Sequence, residues 1–162
     1  MNNFFAKVLT DGLNKGYAGG KPESVNRAGF EGDKSHIELE DGAIYHDEWF
    51  VETRLGGGQE LVQTGEGKFT RLYAGGTPEE KVLTDLGITI KDVGKFLKEK
   101  ILELGDKTRL FENCTPCADG DWEYSYVVTG QHDDIEITTG IESITYKRAV
   151  VHVHTFMLCS IR

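Results

Sequence analysis

The chain has 162 residues, 38 % hydrophobic and 28 % charged, with 20 glycines and 3 prolines. That composition allows one hydrophobic core without metal or disulfide staples and excludes disordered and collagen-like classes. A formal net charge of -9 repels phosphate backbones and anionic lipid, so neither nucleic acid nor a membrane is expected as a direct partner. Three cysteines, no basic-then-apolar leader and no apolar run near the roughly 18 residues of a membrane span lead to an expected cytoplasmic location.

In chain order, Phe4, Phe5, Val8, Leu9 and Leu13 form one apolar helical stripe, with Asn2 or Asn3 available as N-cap and Gly16 as a stop. Residues 35–39 and 43–53 read as strands joined across Asp41-Gly42, and residues 59–64 and 68–73 as strands joined across Gly65-Glu66-Gly67. Thr77-Pro78-Glu79-Glu80 predicts a short helical turn capped by Thr77 that carries Val82 and Leu83 into the core. A second long helix opens on Thr89-Ile90-Lys91-Asp92, which has the form of a capping box. Ile90, Val93, Leu97, Ile101 and Leu104 share its apolar face, and Gly105 follows as its C-terminal cap. Lys91, Lys95, Lys98 and Lys100, interrupted by Asp92 and Glu99, read as a solvated face of that helix. Strands follow at 122–129, 135–139, 141–147 and 150–159, with turns at 130–133, at Gly140 and at Lys147-Arg148.

The two halves echo each other. Asp41-Gly42 before Tyr45 matches Asp119-Gly120 before Trp122 and Tyr124, and Gly58-Gln59-Glu60-Leu61-Val62 matches Gly140-Ile141-Glu142-Ser143-Ile144. With a helix before each set, the reading is a single α+β domain over 1–162, made of two degenerate helix-plus-antiparallel-strands units at about 3–76 and 89–160. A second echo, Tyr-Ala-Gly-Gly, stands at Tyr17–Gly20 and again at Tyr73–Gly76. A tyrosine beside such permissive backbone suits either a pocket wall or the edge of a core.

On these signatures the chain resembles an uncharacterised bacterial family, a domain of unknown function sometimes fused behind XRE-type helix-turn-helix regulators. The matching stretches are 4–20, 41–76 and 120–146, with Gly120-Asp121-Trp122-Glu123-Tyr124 as the best single match. The resemblance implies a copy of a sensing or interaction domain without the helix-turn-helix itself. The chain departs from the family pattern near Phe69, where a Trp is usual, and at His152-Val153-His154-Thr155-Phe156, which replaces an aromatic and glycine ending.

Three constellations carry possible chemistry. Cys114-Thr115-Pro116-Cys117 has a chelating spacing, and His152 and His154, on one face of a strand, are the source of two further ligands for a Cys2His2 zinc site. The same cysteines read as ordinary loop residues otherwise. Glu60 and Glu142 stand at equivalent places in the two units, where a pseudo-twofold arrangement would bring them together for acid-base work or cation binding. Aromatic rows, Tyr45 and Trp49 in one unit and Trp122, Tyr124 and Tyr126 in the other, suit a small-molecule pocket together with Tyr73, or else a core. In His46-Asp47 and His132-Asp133 adjacent residues point to opposite strand faces, which argues against a local His-Asp dyad.

No phosphate loop, dinucleotide fingerprint or nucleophile elbow is present. The leading expectation is therefore a non-enzymatic small-molecule binding or sensing domain with an unknown ligand. Two alternatives stay open. One is an enzyme of unfamiliar type using Glu60 or Glu142 as acid or base. The other is a structural module that forms a homo-oligomer through exposed strand edges.

Overall fold

The computed structural model describes residues 3–39 and 41–162, with side chains from residue 5 onward. Helix α1 (Asn3–Lys15) buries Phe5, Val8, Leu9 and Leu13 as its stripe requires. It stops where the Gly16 N–H donates to the Gly12 carbonyl at 2.7 Å. The predicted caps Asn2 and Asn3, and the Phe4 side chain, lie outside the described residues.

Nine strands follow among the described residues: β1 (Glu23–Arg27), β2 (Phe30–Glu38), β3 (Ile44–Val51), β4 (Leu55–Thr64), β5 (Gly67–Gly76), β6 (Cys114–Asp119), β7 (Trp122–His132), β8 (Ile137–Tyr146) and β9 (Ala149–Ile161). They form one antiparallel sheet in the order β1-β2-β3-β4-β5-β9-β8-β7-β6. Two meanders thus meet at the β5–β9 pair. Between them in sequence lie α2 (Glu80–Asp85) and α3 (Ile90–Leu104). The architecture is mixed α+β.

Helix α3 is built as its sequence demands. Thr89 accepts from the Asp92 N–H while the Asp92 carboxylate accepts from the Thr89 N–H at 2.8 Å, and Gly105 closes the far end at φ +52°. Val93, Phe96, Leu97 and Ile101 pack with the α1 stripe over Tyr45, Val62, Tyr124, Tyr126, Ile144, Phe156 and Leu158 of the sheet. Because strand side chains alternate, β3 sends Tyr45, Asp47 and Trp49 to this covered side and His46 to the other. No helix among the described residues is long and apolar enough to cross a membrane.

Several expectations need correction. Thr77 caps nothing: its N–H donates to the Arg54 carbonyl at 3.1 Å, extending the sheet edge, and α2 starts at Glu80 without a side-chain cap. Leu83 is buried but Val82 is exposed, since neighbours on a short helix face different ways. Gly140 makes no turn; residues 137–146 run as one strand, and a side chain at Gly140 would meet the Phe156 ring and the Val127 carbonyl at 2.3 Å. Here glycine serves close packing. Lys100 is buried, its ammonium 5.5 Å from the centre of the Phe96 ring and 2.6 Å from Glu103. The Cys114–Cys117 segment is an edge strand with a bulge, where Pro116 fits because no ladder donor is required of it.

Candidate functional site

The site begins with three rows across the covered face. Asp47 of β3 stands opposite Glu60 of β4, and Glu60 opposite Arg71 of β5. On the other meander Glu142 of β8 stands opposite His154 of β9, and His154 opposite Gly75. Between them runs Trp49, Gly58, Tyr73, Phe156 and Gly140. Two glycines make this middle row possible. A Cβ on Gly58 would fall 2.5 Å from the Tyr73 hydroxyl, so its absence lets Tyr73 lie across β4 and donate to Asp47 Oδ1 at 2.9 Å. Gly140 likewise admits the Phe156 ring, which stacks on Tyr126 at 4.4 Å.

Glu60 and Glu142 converge, held by two guanidiniums. Arg71 donates to Glu60 at 2.9 Å and to Glu142 at 3.4 Å. Arg109, from the segment before β6, donates to Glu142 through Nε at 2.8 Å and Nη2 at 3.0 Å, and to Glu60 at 3.5 Å. Tyr45 donates to Glu60 and Tyr124 to Glu142 at 2.7 Å. All four charged residues are at most 3 % exposed. Burial pushes the Glu142 carboxyl up, but Arg109, His154 and Arg71 outweigh it and hold the group well below the usual carboxylate range.

Above this network lies a cavity of about 230 Å³ between α3 and the sheet. Ile90, Val93, Gly94 and Leu97 roof it, Tyr17, Trp49 and Tyr73 wall it, and Asp47, Thr53, Arg54, Thr77, Arg109, His152 and His154 supply its polar lining. Asp47 is 1 % exposed, and its second oxygen has no hydrogen-bond partner among the described residues. Burial and the nearby Glu60 raise its pKa to about 8 despite the Tyr73 bond. The His152 ring is pushed down to about 4 by burial and by His154 beside it, which leaves it neutral. His152 Nε2 and Thr77 Oγ1 are buried without a hydrogen-bond partner among the described residues, while His154 Nδ1 lies 3.5 Å from Glu142 Oε2.

Of the residues singled out in the sequence, Trp49 and Tyr73 line the cavity. Glu60, Glu142, Tyr45 and Tyr124 form the network beneath it. Trp122 does neither; it stacks on Phe96 at 4.9 Å and belongs to the core. Tyr17 and Tyr73, the two Tyr-Ala-Gly-Gly tyrosines, are both wall residues. Cys114 and Cys117 do not join His152 and His154, because β6 and β9 are separated by β8 and β7, about 14 Å of sheet. The metal-ligand atoms that do approach, within 4.8 Å of one another, belong to Glu142, His152 and His154. Glu142 already accepts from Arg109, Arg71 and Tyr124, which leaves its oxygens poorly placed for a cation. Arg71 and Arg109 escaped the sequence reading, and Asp47 entered it only as half of a His-Asp pairing that it argued against.

No protein-family model, curated protein or solved structure matches the chain.

Proposed function

We propose that the chain is a non-enzymatic small-molecule binding or sensing domain whose site is the cavity under α3. The observation that carries this reading is the pair of buried polar atoms, Thr77 Oγ1 and His152 Nε2, that have no partner among the described residues and stand in one aromatic-walled cavity. Such atoms cost about 1–3 kcal/mol each when left unsatisfied, and an occupant that bonds them removes that cost. At about 230 Å³ the cavity lies just under the roughly 300–1,000 Å³ of drug-sized sites. Its occupant is therefore metabolite-sized, not a dinucleotide. The hydrogen-bonded network of Glu60, Glu142, Arg71 and Arg109 beneath gives a rigid floor.

We also read the chain as two degenerate units. Support comes from Gly58 and Gly140, which play the same part toward Tyr73 and Phe156, and from Glu60 and Glu142, two residues further along in each strand. The site then belongs to the junction of both units, the arrangement expected of the sensing half of a cytoplasmic regulator.

A second reading, acid-base catalysis, is favoured by one observation: a buried carboxyl, Asp47, that lines a cavity and is pushed up to about 8 by burial and by Glu60. Glu142, held ionised, supports charge pairing and not proton transfer.

A thermal-shift screen against metabolites of both charges and none tests the first reading, run beside Gly94→Leu. Gly94 lines the cavity and a side chain there meets nothing within 4 Å. At least one compound should raise the melting temperature of the wild type and not of the variant. No shift with any class, or a shift that survives in Gly94→Leu, would remove the cavity from the function.

A further inference from the structure

The buried cluster on the covered face is one positive charge short. Asp47, Glu60 and Glu142 are three buried acids, and Arg71 and Arg109 are the buried guanidiniums that face them. Both arginines are committed to the glutamates, Arg109 through a two-point bond to Glu142 and Arg71 through its short bond to Glu60. Among the described residues Asp47 receives only the Tyr73 hydroxyl. Burial, with Glu60 opposite, raises its carboxyl to about 8, so it keeps its proton at neutral pH.

Asp47 shares the cavity lining with aromatic rings. Trp49 follows it on the same face of β3, about 6.6 Å along the strand, and Tyr17 meets the Trp49 indole edge-on at 5.3 Å. Tyr73 completes the wall and is itself tied to Asp47. Lys98 and Arg109 already lie over Tyr17, and Arg71 over Tyr73, at 5.0 to 5.8 Å. Trp49 has no such cation among the described residues. Indole is the strongest π acceptor of a cation, and a carboxylate next to an aromatic wall is the chemistry that recognises organic ammonium groups.

We infer that the ligand of this cavity is a small organic cation, its ammonium group held between the Asp47 carboxylate and the Trp49 indole. The inference rests on the binding reading above and names the ligand class. A metal ion fits less well, because Asp47 offers one free oxygen and the Glu142 oxygens are taken by arginines. Binding an ammonium group supplies the missing charge, so Asp47 gives up its proton as the ligand enters. The groups facing Asp47 in this exchange are Glu60, Arg71, Tyr73, Tyr45, Arg109 and Tyr17, with Arg54, His152 and His154 lining the same cavity, Arg54 donating to the Thr77 carbonyl.

The test uses choline, its uncharged isostere 3,3-dimethylbutan-1-ol, and zinc chloride as probes on the full chain, by calorimetric titration at pH 7 in two buffers of different ionisation enthalpy. Choline should bind the wild type with release of a proton, at least tenfold tighter than the isostere. Asp47→Asn, which copies the protonated acid and so keeps the fold, should lose the proton release and weaken choline about tenfold. Trp49→Leu should weaken it about as much. Equal binding of choline and the isostere, or zinc binding in place of choline, overturns the cation while leaving the cavity as a site. Failure of every probe, together with a silent metabolite screen, overturns the binding reading itself.

Discussion

Glu60 and Glu142, from different meanders of the sheet, are bound by the same two side chains, Arg71 and Arg109. The acids thereby fasten β4 to β8 across the β5–β9 pair with Arg109 closing the cluster from the segment before β6. Such a buried cluster is costly to break at one point, because the partner left behind remains charged and dry. Arg109→Met should destabilise the protein by about 3–5 kcal/mol. Adding Glu142→Gln to that variant should recover part of the loss, and a double-mutant cycle by urea unfolding measures how much.

The pH dependence separates Asp47 from His152. Asp47 titrates at about 8 in the fold, against an ordinary 3.8, so between those values the folded state holds a proton the unfolded state lacks and stability falls as pH rises. His152 titrates at about 4 against 6.5, so between those values the unfolded state holds the extra proton and stability rises with pH. The two slopes oppose each other below pH 6.5. Above it Asp47 acts alone of the pair, and unfolding stability should drop by roughly 1–2 kcal/mol between pH 6.5 and 8. Asp47→Asn should be flat over that window and more stable than the wild type at pH 8.

Gly58 is predicted to be intolerant of the smallest side chain. An added Cβ would stand 2.5 Å from both the Tyr73 hydroxyl and the Glu48 carbonyl, so Gly58→Ala should cost about 1–3 kcal/mol. Gly65→Ala, in a turn with nothing within 4 Å, is the control and should change the melting temperature little. Equal losses at both glycines would contradict the packing role given to Gly58.

Gly94→Leu should move stability the other way. The residue sits inside α3 with open space beside it, and replacing a helical glycine with leucine gains up to about 1 kcal/mol from propensity alone. A higher melting temperature with loss of ligand response would mark the cavity as space kept open at a cost to stability.

Much of this was legible before any coordinates. The Thr89-x-x-Asp92 box, the α1 stripe and the Gly-x-Glu echo depend on local chemistry and near-neighbour spacing, and each leads to the element or side chain it implied. The Tyr-Ala-Gly-Gly echo led to both cavity tyrosines for the same reason. What escaped depends on register. Asp47 follows His46 and precedes Glu48, so it looks like one more surface acid; its burial comes from facing Glu60 on the covered side of β3. Arg109 lies in an irregular segment with no periodicity to place it, at φ +61°, and its role exists only because β8 brings Glu142 beneath it. Gly140 looked like a turn because sequence carries no sign of the Phe156 ring that crosses it.

The two tryptophans allow the most direct test of the cavity as a binding site. Trp49 lines it and Trp122 lies in the core against Phe96, so in a Trp122→Phe protein the fluorescence comes from the cavity wall. Titration with the compounds that raise the melting temperature should change Trp49 emission saturably, over the same concentrations as the thermal effect, and Gly94→Leu should abolish the change. Stabilising compounds that leave Trp49 emission untouched would place the binding site elsewhere and contradict the account.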